Sequence, residues 1–356
     1  MSSSASACRQ PYRRTTKQKG TLRGCVNQSR KRWITCSSSV PFCALLNTAF
    51  LFAPTLHLYE AVEPHMGTLF SIKLYAASEQ QAKEAFHAAF ARIAQLDATL
   101  SDYKSDSELS RITTLAVQSP KPISGDLFQV LAKGQSLAEQ TNGAFDVTVG
   151  PLTHLWRQNR RAHSLPQPAV LADALAHSGY RKMHLDPTSH TVSFDVPGMQ
   201  LDVGGIAKGF AADEALTVIS HLGINSALVA ASGDLAFSDA PPNEKGWKIT
   251  IDALPQPMLL ANAAVSTSGS AEQNFIVNGV LYSHILNPQT GLGLTTNITT
   301  TVIAPRGIDA DGLATALNVL GPDRGLSFIE TQPGASAIIA TPTTVRRSKS
   351  FKALIP

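Results

Sequence analysis

The sequence predicts an α+β fold, because segments with strand-like and helix-like patterns intermix along the chain without a regular βαβ order. Its 356 residues are enough for one large domain or two modest ones, with a sizeable core. Hydrophobic residues make up 43% of the chain and charged residues 16%, which is typical of a globular protein and excludes a largely disordered one. No internal repeat is evident.

The first 60 residues differ in composition from the rest of the chain. Residues 1–32 are basic, rich in serine and free of acidic residues, residues 33–59 carry no charge, and residues 40–56 are strongly apolar. A positive region followed by a short apolar stretch is the layout of an export signal or a signal anchor. Because two prolines and an asparagine disfavour a stable spanning helix, we expect an exported protein, periplasmic or anchored in the inner membrane and facing the periplasm. A mis-assigned start, an organellar transit peptide or a lipid on Cys43 are the alternatives.

Charge and cysteine content exclude several classes of function for the body of the chain. Nine of the 30 lysines and arginines precede the first acidic residue, Glu60, and the remaining 21 stand against 26 acidic residues, so the body carries a net charge of −5. This balance gives no support to nucleic-acid binding. All four cysteines lie at or before Cys43, so the body has no thiolate nucleophile, disulfide or cysteine zinc site. Catalysis there needs carboxylates, hydroxyls, histidine, lysine or a bound metal.

A glycine-rich stretch over residues 201–212 predicts the end of a strand, a tight turn and the start of a helix. Gly204 and Gly205 permit positive φ and a close approach of a ligand to the backbone. Lys208 follows at the predicted helix N-terminus, where amide N–H groups favour anionic ligands. The stretch is not a P-loop, because Gly209 rather than serine or threonine follows the lysine, and its glycines do not fit the G-x-G-x-x-G dinucleotide turn. It is an unassigned ligand turn, with a purely structural glycine turn as the alternative.

The other elements follow from hydrophobic periodicity and from turn residues. Ser78 and Gln81 resemble a capping box at the start of a helix, and Asn142 with Gly143 ends a second helix. We predict strands over residues 69–75, 227–231, 247–251, 274–277 and 298–304, helices over residues 125–140, 169–177 and 309–320, and a surface loop over residues 158–168.

Asp311 and Thr315 stand four residues apart at the start of the last helix, so their oxygens lie on one face within reach of a shared ligand. Carboxylate, hydroxyl and backbone carbonyl are the hard oxygen ligands that magnesium prefers. The alternative is that Asp311 complements the helix dipole and that Thr315 is buried or bonds back to a carbonyl.

Several single residues have both a chemical and a structural interpretation. His284 could act as a general base, because its pKa lies near working pH, or it could be a structural histidine at a strand end. Tyr103 and Phe145 could stack on a planar ring or pack in the core. Asp146 and Asp202 are embedded in apolar runs, so each needs a hydrogen-bonding ligand, a cation or backbone amides as partners.

Six short motifs, taken in their order along the chain, resemble the FAD:protein FMN transferases, the ApbE family. These motifs are Met66-Gly67-Thr68, Ala144-Phe145-Asp146, the run from Asp202 to Gly209, Ser232-Gly233-Asp234, the run from Ser283 to Pro288, and the run from Asp311 to Thr315. Each motif is weak by itself, but six in sequence are strong, and they span nearly all of the chain from Met66 to the C-terminal helices.

The resemblance implies a single α+β domain of the ApbE type, T-fold-like, with mixed sheets and packed helices. Together with the composition of the N-terminal residues, we divide the chain into a targeting segment, signal or anchor, over residues 1–60, a catalytic domain over residues 61–345 and a basic tail over residues 346–356. It implies an exported, Mg²⁺-dependent enzyme that takes FAD as its substrate. Such enzymes attach the FMN part through phosphate to a threonine or serine of an acceptor flavoprotein, such as a subunit of a membrane redox complex, and release AMP.

The resemblance also implies roles for individual residues. The metal ligands would be Asp311, Thr315 and the backbone carbonyl of Gly205, and Asp311 and His284 would be the catalytic residues, with His284 assisting the attacking hydroxyl. The residues implied to contact FAD are Met66, Tyr103, Ala144, Phe145, Asp146, Asp202, Lys208 and Ile285.

Two other functions use the same residues. A magnesium-dependent FAD pyrophosphatase would use water as the nucleophile and give free FMN and AMP. A non-catalytic exported flavin-binding protein would retain FAD unhydrolysed. The presence of His284, Asp311 and Thr315 together favours the transferase, since a mere binder does not need them.

Overall fold

A computed structural model describes residues 55–117, 119–269 and 274–352. The predicted targeting segment lies outside the described residues up to residue 54, and so do all four cysteines. The described part contains eight α-helices, one short 3₁₀ helix (Tyr180–Lys182) and seventeen strands, which confirms the predicted α+β class. Within these ranges, no helix combines the length and the apolar character needed to cross a membrane.

The helices and strands alternate irregularly along the chain. The helices are α1 (Glu79–Leu100), α2 (Glu108–Leu115), α3 (Gly125–Gln140), α4 (Gly150–Arg161), α5 (Pro168–Ala176), α6 (Ala207–His221), α7 (Gly307–Ile329) and α8 (Lys349–Lys352). The strands are β1 (His57–His65), β2 (Thr68–Ala76), β3 (Lys121–Pro122), β4 (Met183–Asp186), β5 (Thr191–Phe194), β6 (Ala227–Ala231), β7 (Asp234–Phe237), β8 (Trp247–Ile249), β9 (Met258–Leu260), β10 (Ala263–Gly269), β11 (Asn274–Val277), β12 (Val280–Ser283), β13 (Leu286–Asn287), β14 (Leu292–Gly293), β15 (Thr299–Ala304), β16 (Ser336–Ala340) and β17 (Val345–Arg347).

The main sheet has eight strands in the order β1-β2-β6-β7-β10-β15-β16-β17. Every neighbouring pair is antiparallel. The hairpin between β1 and β2 turns at Met66 and Gly67, whose φ angles of 48° and 72° are those of a two-residue type I′ turn. The motif residue Met66 therefore has a backbone role in closing this hairpin.

Alternate residues of the main sheet face two different cores, as the two-residue period of a strand requires. On one face, Phe70, Ile72 and Leu74 of β2 pack with the buried faces of α1, α3, α6 and α7. On the other face, strand residues such as Val265 and Ile303 pack with β8 and β9. A third, smaller core joins α4 and α5 to the β11–β12 and β13–β14 hairpins.

Helices α6 and α7 approach so closely that only glycine fits where they cross. A Cβ atom added to Gly209 would lie 2.1 Å from the carbonyl oxygen of Gly307, and one added to Gly307 would lie 2.4 Å from the carbonyl oxygen of Gly209. Asp213 of α6 accepts hydrogen bonds from the amides of Gly307 at 2.6 Å and Ile308 at 3.0 Å, so its carboxylate caps the start of α7. This crossing places the N-terminal turns of the two helices side by side.

The predicted domain boundaries need correction at both ends. Strand β1 begins at His57, so the boundary between residues 60 and 61 falls inside a paired strand. At the other end, β17 pairs with β16, and Phe351 of α8 is fully buried. The residues from 346 to 352 are therefore part of the folded domain rather than a tail, because the side chain of Phe351 packs in the second core.

Two local predictions were also wrong. Residues 201–203 belong to no strand, so no strand ends at Asp202; a single bridge joins Val149 to Gln200, and the amide of Asp202 donates to the carbonyl of Val147 at 2.8 Å. Residues 158–161 form the C-terminal end of α4 instead of a loop. This helix begins at Gly150 with Pro151 in its first turn, a position that suits the fixed φ of proline. The helix predicted over residues 309–320 begins at Gly307, and its helical run continues to Ile329 across a break at Gly321 with φ of 74°.

The α6–α7 crossing yields a stability prediction. We expect Gly209→Ala to lower the free energy of unfolding by about 3 kcal/mol, because the new methyl group would overlap the backbone of Gly307. Urea unfolding measures the difference. Gly125→Ala is the matched control, since nothing lies within 4 Å of its added Cβ. A Gly209→Ala protein as stable as the control would contradict the close crossing.

Candidate functional site

Lys208 lies in the first turn of α6, and its ammonium group is surrounded by oxygen atoms. Its Nζ is 3.1 Å from Oδ2 of Asp234 and 3.7 Å from Oδ2 of Asp311, and it donates a hydrogen bond to the carbonyl of Gly204 at 3.1 Å. Ser266 donates a 2.5 Å hydrogen bond to the other oxygen of Asp234. The α6–α7 crossing and the sheet thus bring together two carboxylates and one lysine from distant parts of the chain.

These three charged groups strongly affect one another because the carboxylates are buried. Asp234 and Asp311 are 5% and 4% exposed. Burial and the neighbouring carboxylate of Asp234 raise the pKa of Asp311 to about 7, although Lys208 and the amide of Gly209 act in the opposite direction. Burial lowers the pKa of Lys208, but the two carboxylates outweigh it and hold the pKa above its usual value. Lys208 is therefore a fixed cation that balances only one of two buried acids.

The predicted metal ligands converge beside this cluster. A Cβ added to Gly205 would lie 3.0 Å from Oγ1 of Thr315, so the Gly205 backbone and the Thr315 hydroxyl are neighbours. Thr315 follows Asp311 by one helical turn on α7. The amide of Gly209 donates to Oδ2 of Asp311 at 3.1 Å, which fixes this carboxylate at the helix crossing.

The chemistry of this donor set fits a hard divalent cation. The three positions supply a carboxylate, a hydroxyl and a backbone carbonyl, all of them oxygen donors. Two buried carboxylates facing one lysine also leave an excess of negative charge once both are ionised. Among the described residues, no group of three or more His, Cys, Asp or Glu side chains is arranged to hold a metal ion.

A second charged cluster lies around Asp202. Its Oδ1 accepts a hydrogen bond from the amide of Gly204 at 2.8 Å, and its Oδ2 accepts one from Nη2 of Arg157 at 2.9 Å. Arg157 also donates to Asp102, and its guanidinium carbon lies 4.4 Å from the centre of the Tyr103 ring. Asp202 therefore holds the glycine turn on one side and the Tyr103 loop, through Arg157, on the other.

Neighbouring groups in this cluster favour the ionised forms of Asp102 and His154. Burial raises the pKa of Asp102, but the neighbouring His154 and Arg157 outweigh it and hold the pKa below its usual value. The carboxylate of Asp102, 3.6 Å from Nε2 of His154, raises the pKa of His154. Partial desolvation raises the pKa of the Tyr103 hydroxyl even though the residue is largely exposed, so this side chain is a neutral ring at physiological pH.

Asp146 is a buried carboxylate whose two oxygens accept hydrogen bonds from the protein itself. Oδ1 accepts from the amide and the hydroxyl of Thr148 at 2.8 and 2.7 Å, and Oδ2 accepts from the amide of Tyr180 at 2.9 Å. Burial raises the pKa of Asp146, and these hydrogen bonds act against it. The residue lies in the turns between α3 and α4 rather than in a strand. Its contact with FAD stays a prediction, and its contacts in this structure are structural.

The remaining predicted residues lie on separate elements. The Phe145 ring is buried between α3 and the glycine turn, 3.4 Å from where a Cβ of Gly205 would be. Ala144 is buried in the same turn region. His284 and Ile285 connect β12 to β13, and the amide of Ile285 donates to the hydroxyl of Ser283 at 3.1 Å. The predicted roles of these residues in FAD binding and proton transfer stay predictions.

Three residues of these clusters were given no role by the sequence. Asp234 belongs to a recognised motif, and a carboxylate at the start of an apolar strand is the signal that could have marked it. The sequence analysis did not predict α4, so only the structure shows that Arg157 lies in the C-terminal part of this helix. Asp102 carries no local signal, because its partner Arg157 lies 55 residues away in sequence.

The family model for the ApbE family matches residues 66–339. The chain belongs to the ApbE family. Among its relatives, the FAD:protein FMN transferase of Treponema pallidum is 32% identical over 309 residues, which cover 80% of this chain and 84% of the relative. The FAD:protein FMN transferase of Haemophilus influenzae is 33% identical over 285 residues, which cover 74% of this chain and 81% of the relative.

Solved structures of ApbE proteins share the fold. The apo form of the Pseudomonas stutzeri flavinyl transferase ApbE has a TM-score of 0.76 at 30% identity, over 84% of this chain and 97% of that protein. The ApbE protein of Thermotoga maritima has a TM-score of 0.75 at 28% identity, over 84% of this chain and 100% of that protein. These matches confirm the family inferred from the six motifs and the single ApbE-type α+β domain.

The hydrogen bonds of Asp146 yield a second stability prediction. We expect Asp146→Ala to lower the free energy of unfolding by about 3 kcal/mol, because the buried amides of Thr148 and Tyr180 lose their acceptor. Chemical denaturation measures the change. Asp186→Ala is the control, since Asp186 accepts from the amide of Thr188 in a similar turn at the surface. Equal, small effects of the two substitutions would contradict a structural role for Asp146.

Proposed function

We propose that this ApbE-family chain is an FAD:protein FMN transferase that moves the FMN part of FAD to a threonine or serine hydroxyl of an acceptor flavoprotein and releases AMP. The observation that carries the proposal is the convergence of Lys208, Asp311, Thr315 and the Gly205 backbone at the meeting point of two helix N-termini. The enzyme class is supported by relatives named FAD:protein FMN transferase. The identities of the metal, magnesium, and of the acceptor residue, a threonine or serine, belong to the proposal as well.

The proposed reaction is a phosphoryl transfer. The hydroxyl oxygen of the acceptor forms a bond to the phosphorus of the FMN part, and the bond from that phosphorus to the bridging oxygen breaks. The bridging oxygen leaves with AMP. We assign His284 to accept the proton of the hydroxyl, because a neutral imidazole is a suitable base near neutral pH.

The pyrophosphate of FAD is anionic, and negative charge develops on the bridging oxygen as its bond to phosphorus breaks. Positive potential beside that oxygen would stabilise the reaction. Lys208 supplies a fixed positive charge, and the amides at the start of α6 add the positive end of a helix dipole beside it. Asp234 and Asp311 keep the lysine charged and hold its ammonium group in place. The glycine turn leaves the backbone of Gly204 and Gly205 open to close approach.

We further propose that the site takes magnesium. Asp311, Thr315 and the carbonyl of Gly205 would hold it, since all three are hard oxygen donors. When bound, the ion supplies charge neutralisation at the pyrophosphate. Its binding would also compensate the second buried carboxylate, which Lys208 leaves unbalanced.

The place of action is proposed from the N-terminal sequence. The basic and apolar character of residues 1–60 supports an exported enzyme that acts in the periplasm, free or anchored to the inner membrane. An acceptor that is part of a membrane redox complex would be accessible there.

The proposal is tested by mixing the purified protein with FAD, magnesium and an acceptor flavoprotein, and following flavin fluorescence on a denaturing gel. A fluorescent acceptor band that disappears with a chelator supports both the transferase and its metal. Magnesium-dependent release of free FMN and AMP, without a labelled band, would replace the transferase by a pyrophosphatase. Retained, intact FAD would leave only a flavin-binding protein.

The metal proposal predicts the effect of removing one charge. We expect Asp311→Asn to lower the transfer rate at least about a hundredfold and to weaken magnesium binding, because the amide keeps the volume but loses the anionic ligand. Initial rates over a magnesium titration measure both. Asp323→Asn is the control on the same helical run, with a side chain that is 88% exposed. Equal rates for Asp311→Asn and wild type at saturating magnesium would refute the assignment.

The proposed base predicts a loss of rate without a loss of binding. We expect His284→Ala to lower kcat about a hundredfold or more and to leave the FAD dissociation constant unchanged, since proton transfer contributes only to the chemical step. Single-turnover rates and FAD titrations separate the two quantities. His87→Ala, on the exposed face of α1, serves as the control. Normal transfer by the His284 variant would rule out this role.

A further inference from the structure

We propose that Arg157 is a positioning residue that fixes the Tyr103 loop against the Gly204–Gly205 turn and so sets the geometry in which FAD is bound. The choice of FAD as the ligand rests on the proposed function. The assignment of Arg157 itself rests on its contacts, which join two segments about 100 residues apart in sequence.

Arg157 forms a fork between two carboxylates. Nη1 donates to Oδ2 of Asp102, which belongs to the loop between α1 and α2, and Nη2 donates to Oδ2 of Asp202 at 2.9 Å. The guanidinium group is planar and presents several N–H donors in a fixed arrangement, so it can satisfy both acids at once. A lysine at this position could not hold both oxygens in the same geometry.

The carboxylates of Asp102 and Asp202 are nearly buried, so their negative charges need Arg157 as a partner. The side chains of Asp102 and Asp202 are 9% and 10% exposed. Removing one partner from such a nearly buried group leaves an uncompensated buried charge. His154 also lies beside Asp102, with its Nε2 3.6 Å from Oδ2, the oxygen that accepts from Arg157, and its Nδ1 2.7 Å from Oε1 of Gln200.

The same guanidinium group orients Tyr103. Its central carbon lies 4.4 Å from the ring centre, within the range of a cation–π contact. Tyr103 is nevertheless 73% exposed, so most of the ring surface remains open to a ligand. A planar ring of FAD stacked on Tyr103 would meet a surface that Arg157 has already fixed, and less ordering would be needed on binding.

Asp202 connects Arg157 to the glycine turn through hydrogen bonds. One carboxylate oxygen accepts from Arg157, and the other accepts from the amide of Gly204 at 2.8 Å. Gly205 follows directly and adjoins Thr315 of α7. The arginine therefore links the ring surface at Tyr103 to the turn that carries a proposed ligand of the metal, without itself belonging to that ligand set.

The test compares Arg157→Gln and Arg157→Lys with Arg161→Gln, which removes a positive charge from an exposed position on the same helix. Two quantities are measured on the full chain. The first is the FAD dissociation constant by fluorescence titration, with a chelator present so that no turnover occurs. The second is backbone hydrogen exchange of residues 101–107 and 202–205.

We expect Arg157→Gln to raise the FAD dissociation constant about tenfold and to speed exchange in both segments, because both charge-assisted hydrogen bonds are lost. Arg157→Lys should fall between this variant and wild type, since it keeps the charge without the fork. Arg161→Gln should change neither quantity.

A double-mutant cycle with Tyr103→Ala tests whether Arg157 acts through the ring. The combined variant should lose less FAD affinity than the sum of the single losses, because each substitution removes the same preformed surface. Faster exchange with an unchanged dissociation constant would overturn the proposal and leave Arg157 a stability residue. Weaker binding with unchanged exchange in both segments would overturn it as well.

The proposal and the proposed function can fail separately. A wild-type protein that binds no FAD would contradict the proposed function and, with it, the ligand named here. Wild-type binding of FAD that Arg157→Gln leaves intact would contradict the assignment of Arg157 alone.

Discussion

The close crossing of α6 and α7 is the contact on which the candidate site depends. Gly209 and Gly307 have no side chains, so the backbones of the two helices touch where each helix begins. The carboxylate of Asp213 then caps α7 from α6 and fixes the angle between them. Because of this arrangement, Lys208 in the first turn of α6 faces Asp311 in the second turn of α7. A larger residue at either glycine would separate the lysine from its acid before any ligand was involved.

Once this crossing exists, the electrostatics of the site follow from burial. Two buried carboxylates from β7 and α7 share one partly buried lysine. In such surroundings a charge persists only with partners, and one lysine cannot satisfy two acids. The raised pKa of Asp311 expresses this imbalance. A second cation with oxygen ligands is the addition that would balance the charges, which is why the donor set and the charge count support the same proposed metal.

The sequence predicted those parts of the molecule that depend on local pattern. Helix α3 and strands β6 and β11 have the predicted bounds, because their apolar periodicity and end signals lie within a few residues. The motif order identified the family and brought Lys208, Asp311, Thr315 and Gly205 into one site. The contacts of Arg157 could not be predicted, since its partners lie 55 and 45 residues away and only tertiary structure brings them together. Helix α4 was not predicted, because Gly150-Pro151 is as compatible with the end of a strand as with the first turn of a helix.

Asp146 and Asp202 show why burial alone does not identify a ligand-binding acid. Both stand in apolar runs of sequence, and both needed partners once folded. The fold gave Asp146 two backbone amides and a hydroxyl, so its oxygens are committed to holding the turn between α3 and α4. It gave Asp202 one amide and one arginine, so part of its partnership is a side chain that also contacts an exposed ring. An acid held by amides fixes the backbone, whereas an acid held by a side-chain cation can couple that backbone to whatever the cation touches. This difference places Asp202, rather than Asp146, at the junction between the ring of Tyr103 and the glycine turn.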